Sequence, residues 1–225
     1  MNIKAVALDL DGTFLDSNNK PNNETIDLIG KLRNRGIKIF FALGRTKLEI
    51  EEVLPAGTEI DGMVTANGMG CYIKDRKILQ HSLPSQLVRE VVDLARNSNV
   101  YYEVHPLDGR RFALEADRNY MFDEVMREKA ETVHDNEYNA RQNAIEQQIY
   151  WAKEICAEDV VKVYFFSMSL DKIQEWDKKL QELQKKHSFT ISSSSAHSNK
   201  ISVSNVSKAT GIELLLTYLT LNSKR

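Results

Sequence analysis

The stretch Val6-Ala-Leu-Asp9-Leu-Asp11-Gly12-Thr13-Phe-Leu15 constrains this chain more than any other, because an apolar run ends in two carboxylates one residue apart. Residues at i and i+2 share a face while a strand continues, and a glycine directly after them permits a sharp turn. The pattern therefore puts Asp9 and Asp11 at the carboxyl end of a buried strand, the edge at which open α/β sheets bind ligands. Two like charges this close repel unless a cation lies between them or one keeps its proton. A hard dication such as Mg²⁺, which takes oxygen ligands and retains waters, suits such a pair. The alternative is an acidic strand-to-turn junction without chemistry, since Asp and Gly are ordinary turn residues.

Ile3 to Leu10 is nearly continuous in apolar residues, the pattern of a central parallel strand covered on both faces. A polar loop follows, then a helix from about Glu24 to Arg35 that Gly36 ends. Ile37 to Ala42 and Ile60 to Thr65 read as further strands, and Cys71 to Ile73 with Lys77 to Gln80 as a hairpin. From about Leu83 the pattern changes to helices alternating with mostly antiparallel strands, a separate α+β layer. Its elements are a helix Ser85 to Asn97, strands Val100 to His105 and Arg110 to Leu114, and helical segments Arg118 to Ala130 and Ala144 to Ile155. A strand Val160 to Met168, a helix Leu170 to His187, and strands Phe189 to Ser194 and Lys200 to Ser204 complete it. Tyr101, Tyr102, His105, Arg110 and Arg111 face a substrate or form sheet surface, the surface being favoured.

The 225 residues suffice for one sizeable core or two modest domains, and 42% apolar with 28% charged residues is the composition of a soluble globular protein. A net charge of −2 gives no general attraction to nucleic acid or anionic membrane. The first ten residues carry no secretory pattern and no apolar run nears membrane-spanning length, so the expected location is cytoplasmic. Cys71 and Cys156 lack metal-ligand spacing and read as two buried thiols.

Asp9-Leu-Asp11-Gly12-Thr13 resembles motif I of the haloacid dehalogenase superfamily, most of whose members are phosphatases. Leu8 to Asp16 and Thr65-Ala-Asn67-Gly68 resemble its Cof-type branch. The resemblance implies a Rossmann-like α/β core with a parallel sheet, residues 1–82 and 206–225, and an inserted α+β cap domain, residues 83–205, that closes over the site. It implies phosphate monoester hydrolysis through an aspartyl-phosphate on Asp9, with Asp11 as general acid and base. Mg²⁺ would be held by the Asp9 carboxylate and the Asp11 main-chain carbonyl. Lys208, in Val206-Ser-Lys208-Ala-Thr-Gly211, falls at the motif III lysine, and Asn67, Gly44 and Arg45 would join it in holding phosphate. A lone lysine at a helix start and an Asn-Gly turn are otherwise ordinary features, and Arg45 sits equally well on a solvated loop. The cap type suggests a sugar phosphate or a phosphorylated cofactor as substrate, a small phosphorylated metabolite in either case.

Two departures stand out. Motif II of the family has Ser or Thr where this chain has Leu43, which cannot hydrogen-bond a phosphoryl group, and Thr46 with Glu49 fits a helix-capping box better than a substitute contact. The Gly-Asp and Asn-Asp of motif IV are absent before Arg225, so the core reads as truncated at that end. Hence a second expectation: a truncated or degenerate member that binds phosphate or a partner without turnover. On either reading the open edge of the first strand is expected to bring self-association or only marginal stability.

Overall fold

The computed structural model describes residues 3–9, 14, 23–51, 53–55 and 58–222, so the expectations for Asp11, Gly12 and Thr13 lie outside the described residues. The chain divides into two compact units, Met1–His81 with Asn205–Arg225, and Ser82–Ser204.

The first unit opens with β1 (Ala5–Leu8), α1 (Asn23–Asn34), β2 (Lys38–Ala42), α2 (Lys47–Glu51) and β3 (Gly62–Thr65), followed by β4 (Gly70–Ile73) and β5 (Arg76–Gln80). The strands form one sheet in the order β1-β2-β3-β4-β5. β1, β2 and β3 run parallel, which sends all three carboxyl ends to the same edge, while β4 and β5 are antiparallel additions. Alternation along β2 then decides the layers. Ile39 and Phe41, with Leu43 beyond the strand, pack with Phe14, Ile50 and Ile29 of α1, whereas Phe40 and Ala42 face the opposite side with Val64 and Cys71. β1 departs from the reading of a strand covered on both faces. Ala7 is exposed, Ala5, Val6 and Leu8 are half-buried, and Ile3 is 56% exposed. It is the end strand of the described sheet, so the apolar run marks a strand here without marking one covered on both faces.

The second unit contains α3 (Ser85–Asn97), β6 (Tyr101–Pro106), β7 (Phe112–Leu114), α4 (Arg118–Val125), α5 (Asp135–Asn143), a π-helical turn Ala144–Gln148, β8 (Tyr150–Ala152), β9 (Val160–Phe166), α6 (Leu170–Gln184), β10 (Thr190–Ser192) and β11 (Ser198–Ser202). Its six strands lie in the order β10-β11-β9-β6-β7-β8, antiparallel except for the β7–β8 pair. One face of this sheet, with Val104, Val163, Phe165 and Ile201, shares a core with Leu87 and Val91 of α3 and Trp176 and Leu180 of α6. Two helical expectations fail here. The Arg118 segment stops at Val125, and the segment from Ala144 gives only the π-helical turn before β8, because Tyr150 to Ala152 pair with β7 instead. α5 has no buried residue, so no apolar periodicity announced it.

Tyr101, Tyr102 and His105 are neither surface nor open to solvent; all three are buried. Tyr101 Oη donates to Glu103 Oε1 at 2.6 Å, Tyr102 Oη donates to Asp117 Oδ2 at 2.6 Å, and His105 Nε2 lies 3.0 Å from Glu103 Oε2. Arg111 reaches the same Glu103 carboxylate at 3.0 Å, while Arg110 stays exposed and bonds the Gln147 carbonyl. The tyrosine hydroxyls thus sit inside because each finds a carboxylate, which removes the cost of burying them.

After the second unit the chain returns to the first as α7 (Lys208–Asn222). Leu215 packs on the Phe40, Val64 and Cys71 face, opposite α1. No helix among the described residues is long and apolar enough to cross a membrane.

Candidate active site

The parallel strands β1, β2 and β3 end at Leu8, Ala42 and Thr65, so Asp9, the loop Leu43-Gly44-Arg45 and the turn Ala66-Asn67-Gly68 follow at one edge. Main-chain bonds knit the last two together. Leu43 N donates to Val64 O at 2.8 Å, Ala66 N to Arg45 O at 2.7 Å, and Asn67 N to Leu43 O at 2.7 Å. The turn itself runs through three successive left-handed residues, with φ of 47° at Ala66, 58° at Asn67 and 104° at Gly68. Asparagine and glycine tolerate that region, but alanine does so only where the surroundings hold it. The Asn67 carboxamide lies over Gly44, with Oδ1 3.3 Å from where a β-carbon on that glycine would stand.

Lys208, the first residue of α7, reaches the same edge and donates a charge-assisted hydrogen bond from Nζ to Asp9 Oδ2. The two side chains are 35% and 42% exposed, which leaves the pair accessible to a ligand. Ser207 caps the helix: its Oγ accepts from Thr210 N at 3.2 Å, and its own N–H donates to Thr210 Oγ1 at 3.0 Å. Of the sequence candidates, Asp9 and Lys208 are therefore brought together, Gly44, Arg45 and Asn67 form one hydrogen-bonded loop and turn, and Asp11 lies outside the described residues.

Leu43 follows the motif position in sequence yet not in chemistry. It is 1% exposed and packs with Phe14, Phe41 and Ile50. Thr46 and Glu49 form the capping box expected of them, with Thr46 N donating to Glu49 Oε2 at 2.7 Å and Glu49 N to Thr46 Oγ1 at 3.4 Å. Restoring a hydroxyl by Leu43→Thr is accordingly expected to cost about 2 to 4 kcal/mol, through lost apolar contact and an unpaired hydroxyl. Urea denaturation would show a lowered midpoint at unchanged slope; an unchanged midpoint would mean that the side chain is not in the core.

Sequence reading missed the close approaches that glycine permits here. A β-carbon at Gly68 would stand 2.3 Å from Ser207 O, and one at Gly211 would stand 2.5 Å from Val64 Cγ1. The Asn67-Gly68 dipeptide was the available signal for the first; nothing marked the second. Cys71 lies beneath Gly211, and burial pushes its thiol up to about 11, so it is a core residue without nucleophilic character at neutral pH. Cys156, expected to be buried, is exposed.

Three parallel strands with an aspartate, a left-handed turn and a lysine at their carboxyl edge define a class: α/β proteins whose chemistry sits at that edge. A family model for haloacid dehalogenase-like hydrolases matches residues 6–225, and the chain belongs to that family. It is 24% identical over 232 residues to phosphatase YwpJ of Bacillus subtilis, across 96% of this chain and 79% of that protein. An HMP-PP phosphatase of Citrobacter koseri is 27% identical over 103 residues, covering 44% of this chain and 38% of its own length. Among solved structures, a haloacid dehalogenase-like hydrolase from B. subtilis superposes with a TM-score of 0.75 at 20% identity, over 97% of this chain and 79% of that one. Another from Bacteroides thetaiotaomicron gives 0.75 at 16% identity, over 97% and 78%. At such identities the structural likeness speaks for the fold.

Proposed function

We propose that the chain is a Mg²⁺-dependent phosphatase of small phosphate monoesters, such as sugar phosphates or phosphorylated cofactors, working through an aspartyl-phosphate on Asp9. The observation that carries this reading is the pairing of Lys208 with Asp9, the carboxylate directly after β1. An ammonium beside the nucleophile neutralises part of the charge that the incoming phosphoryl oxygens would otherwise meet, the usual source of rate in this chemistry.

In the first step an Asp9 oxygen attacks phosphorus as the bond to the leaving oxygen breaks, and Asp11 gives that oxygen a proton. In the second, water attacks phosphorus, the bond to Asp9 breaks, and Asp11 takes the proton that water loses. Each displacement is easier than one direct hydrolysis. Lys208 holds equatorial phosphoryl oxygens, and the Asn67 carboxamide with the Gly44-Arg45 loop orients the group from the β2 and β3 side. The half-exposed Asp9 carboxylate is a hard oxygen donor of the kind Mg²⁺ takes, and with the Asp11 carbonyl it would hold the ion. When bound, Mg²⁺ supplies positive charge that offsets repulsion between nucleophile and phosphate. To the Ser82–Ser204 unit we assign selection of the substrate's organic part.

The buried Leu43 favours a second reading, in which phosphate binds without turnover. Turnover of p-nitrophenyl phosphate separates the two. Hydrolysis that requires Mg²⁺ and falls at least about tenfold in EDTA is expected; turnover indifferent to EDTA would refute the metal's role, and phosphate binding with no turnover would establish the second reading.

A further inference from the structure

We infer that Gly68 and Gly211 are positioning residues that set the Lys208 ammonium against Asp9, an inference that rests on the phosphatase reading above. Lysine is a flexible cation with four rotatable carbons, so where its head group lies depends on where the helix bearing it starts. Here that start is fixed by close contacts of glycine backbone on either side of Lys208, against main chain at Gly68 and against side chains at Gly211. One residue before it, Ser207 lies so close to Gly68 that a β-carbon there would stand 2.3, 2.7 and 2.9 Å from its O, C and N atoms. Three residues after it, Gly211 lies so close to β3 that a β-carbon would stand 2.5 and 2.9 Å from the Val64 methyls and 3.2 Å from Cys71 Sγ. The two contacts are mechanically joined, because Ser207 O accepts the Gly211 N–H at 3.1 Å as a first-turn bond of α7.

Gly68 is in turn anchored by the loop after β2, through the bonds that Asn67 N and Ala66 N donate to Leu43 O and Arg45 O. The run of left-handed residues from Ala66 to Gly68 is what brings a main chain this near to the helix start. Phosphate loop, turn and lysine are thus one stack, and the lysine is registered to the others by absent side chains. Ordinary β-carbon contacts begin near 3.4 Å, so alanine at either glycine must displace the start of α7 by about 1 Å. Misplacement of that size by a residue remote from the chemistry can cost about 10²-fold in rate.

The test uses the whole chain and two readouts, steady-state turnover of p-nitrophenyl phosphate with Mg²⁺ and the ¹H–¹⁵N signal of the Lys208 ammonium, assigned by its disappearance in Lys208→Met. Gly68→Ala is expected to keep a dispersed amide spectrum, lower kcat roughly 10- to 100-fold with KM within about twofold, and shift or abolish the ammonium signal. Combined with Lys208→Met it should add nothing to the loss from Lys208→Met alone. Gly211→Ala is carried through the same measurements, so that the answer does not hang on one variant folding. Gly30, with nothing within 4 Å of its β position, provides Gly30→Ala as the neutral control. An unmoved ammonium signal with unchanged kcat in both glycine variants, or losses that simply multiply in the double variant, would overturn the inference. Absence of turnover in the unmutated chain would count against the phosphatase reading alone, since the ammonium signal still decides the positioning role.

Discussion

Asp9→Asn is expected to lower phosphatase turnover at least about 10³-fold, with little change in folding stability. The carboxamide keeps the shape of the side chain and one oxygen to accept the Lys208 hydrogen bond, but it has no anionic oxygen with which to attack phosphorus. Removing the nucleophile of a covalent mechanism elsewhere costs about 10⁶ in kcat, so 10³ is a lower bound that allows for background hydrolysis. The stability side follows from exposure. Asp9 and Lys208 are both more than a third exposed, and ion pairs so exposed contribute about 0 to 1 kcal/mol. The melting temperature should therefore move by no more than about 4 °C in a chain of this size. Turnover retained above a tenth of the original would point to a contaminating phosphatase or to a different nucleophile. A large fall in melting temperature would instead show that Asp9 has a structural duty that its surroundings do not reveal.

The first unit was legible because its rules are local. Apolar runs gave β1, β2 and β3 to within two residues at each end, and the order of Asp9, Asn67 and Lys208 along the chain anticipated the edge at which all three gather. Leu43 was legible too, since a side chain without a donor has the same meaning in sequence and in space. What sequence could not carry was the close approach of a glycine backbone to groups distant in the chain. Gly211 has no turn to make and a helical setting, so its packing on Val64 leaves no trace in composition or spacing.

The second unit was read less well, in good part because of its polar residues. Its polar residues are satisfied by one another inside the fold, so hydropathy alone sends them to the wrong place. Tyr101, Glu103 and His105 alternate along β6 as an exposed face should, yet they are covered, and Glu103 is 0% exposed. Arg141, which closes over this carboxylate, comes from α5, the helix without apolar periodicity. The π-helical turn that follows α5 carries Ala144 and Ile145 into the core and so fixes where Arg141 can reach. A polar helix is thus held at its carboxyl end, by the ionic cluster through Arg141 and by the buried Ala144 and Ile145 just beyond it.

That arrangement makes Glu103→Ala the most damaging change expected for stability, at about 3 to 5 kcal/mol. Glu103 accepts from Arg111 at 3.0 Å, from Tyr101 at 2.6 Å and from Arg141, and lies 3.0 Å from His105. Truncating it strands two guanidinium groups whose side chains are each only 12% exposed. Burial by itself would raise the Glu103 pKa, but the charges of Arg141 and Arg111 outweigh it and hold the carboxyl well below the usual carboxylate range. A depressed folded value means that the unfolded chain binds the proton more readily. The carboxylate's stabilisation is therefore fully present above its unfolded pKa of about 4 and is lost as pH falls towards the folded value. Thermal melts from pH 7 down to 3 should accordingly show the second unit losing stability below about pH 4 in the unmutated chain, and a flatter acid limb in Glu103→Ala. The double variant Glu103→Leu with Arg141→Met should recover part of the loss, because apolar residues of similar volume can replace a buried ion pair at little cost. A single variant that melts within about 2 °C of the original would show that water reaches the cluster and that Arg111 and Arg141 are solvated without their carboxylate.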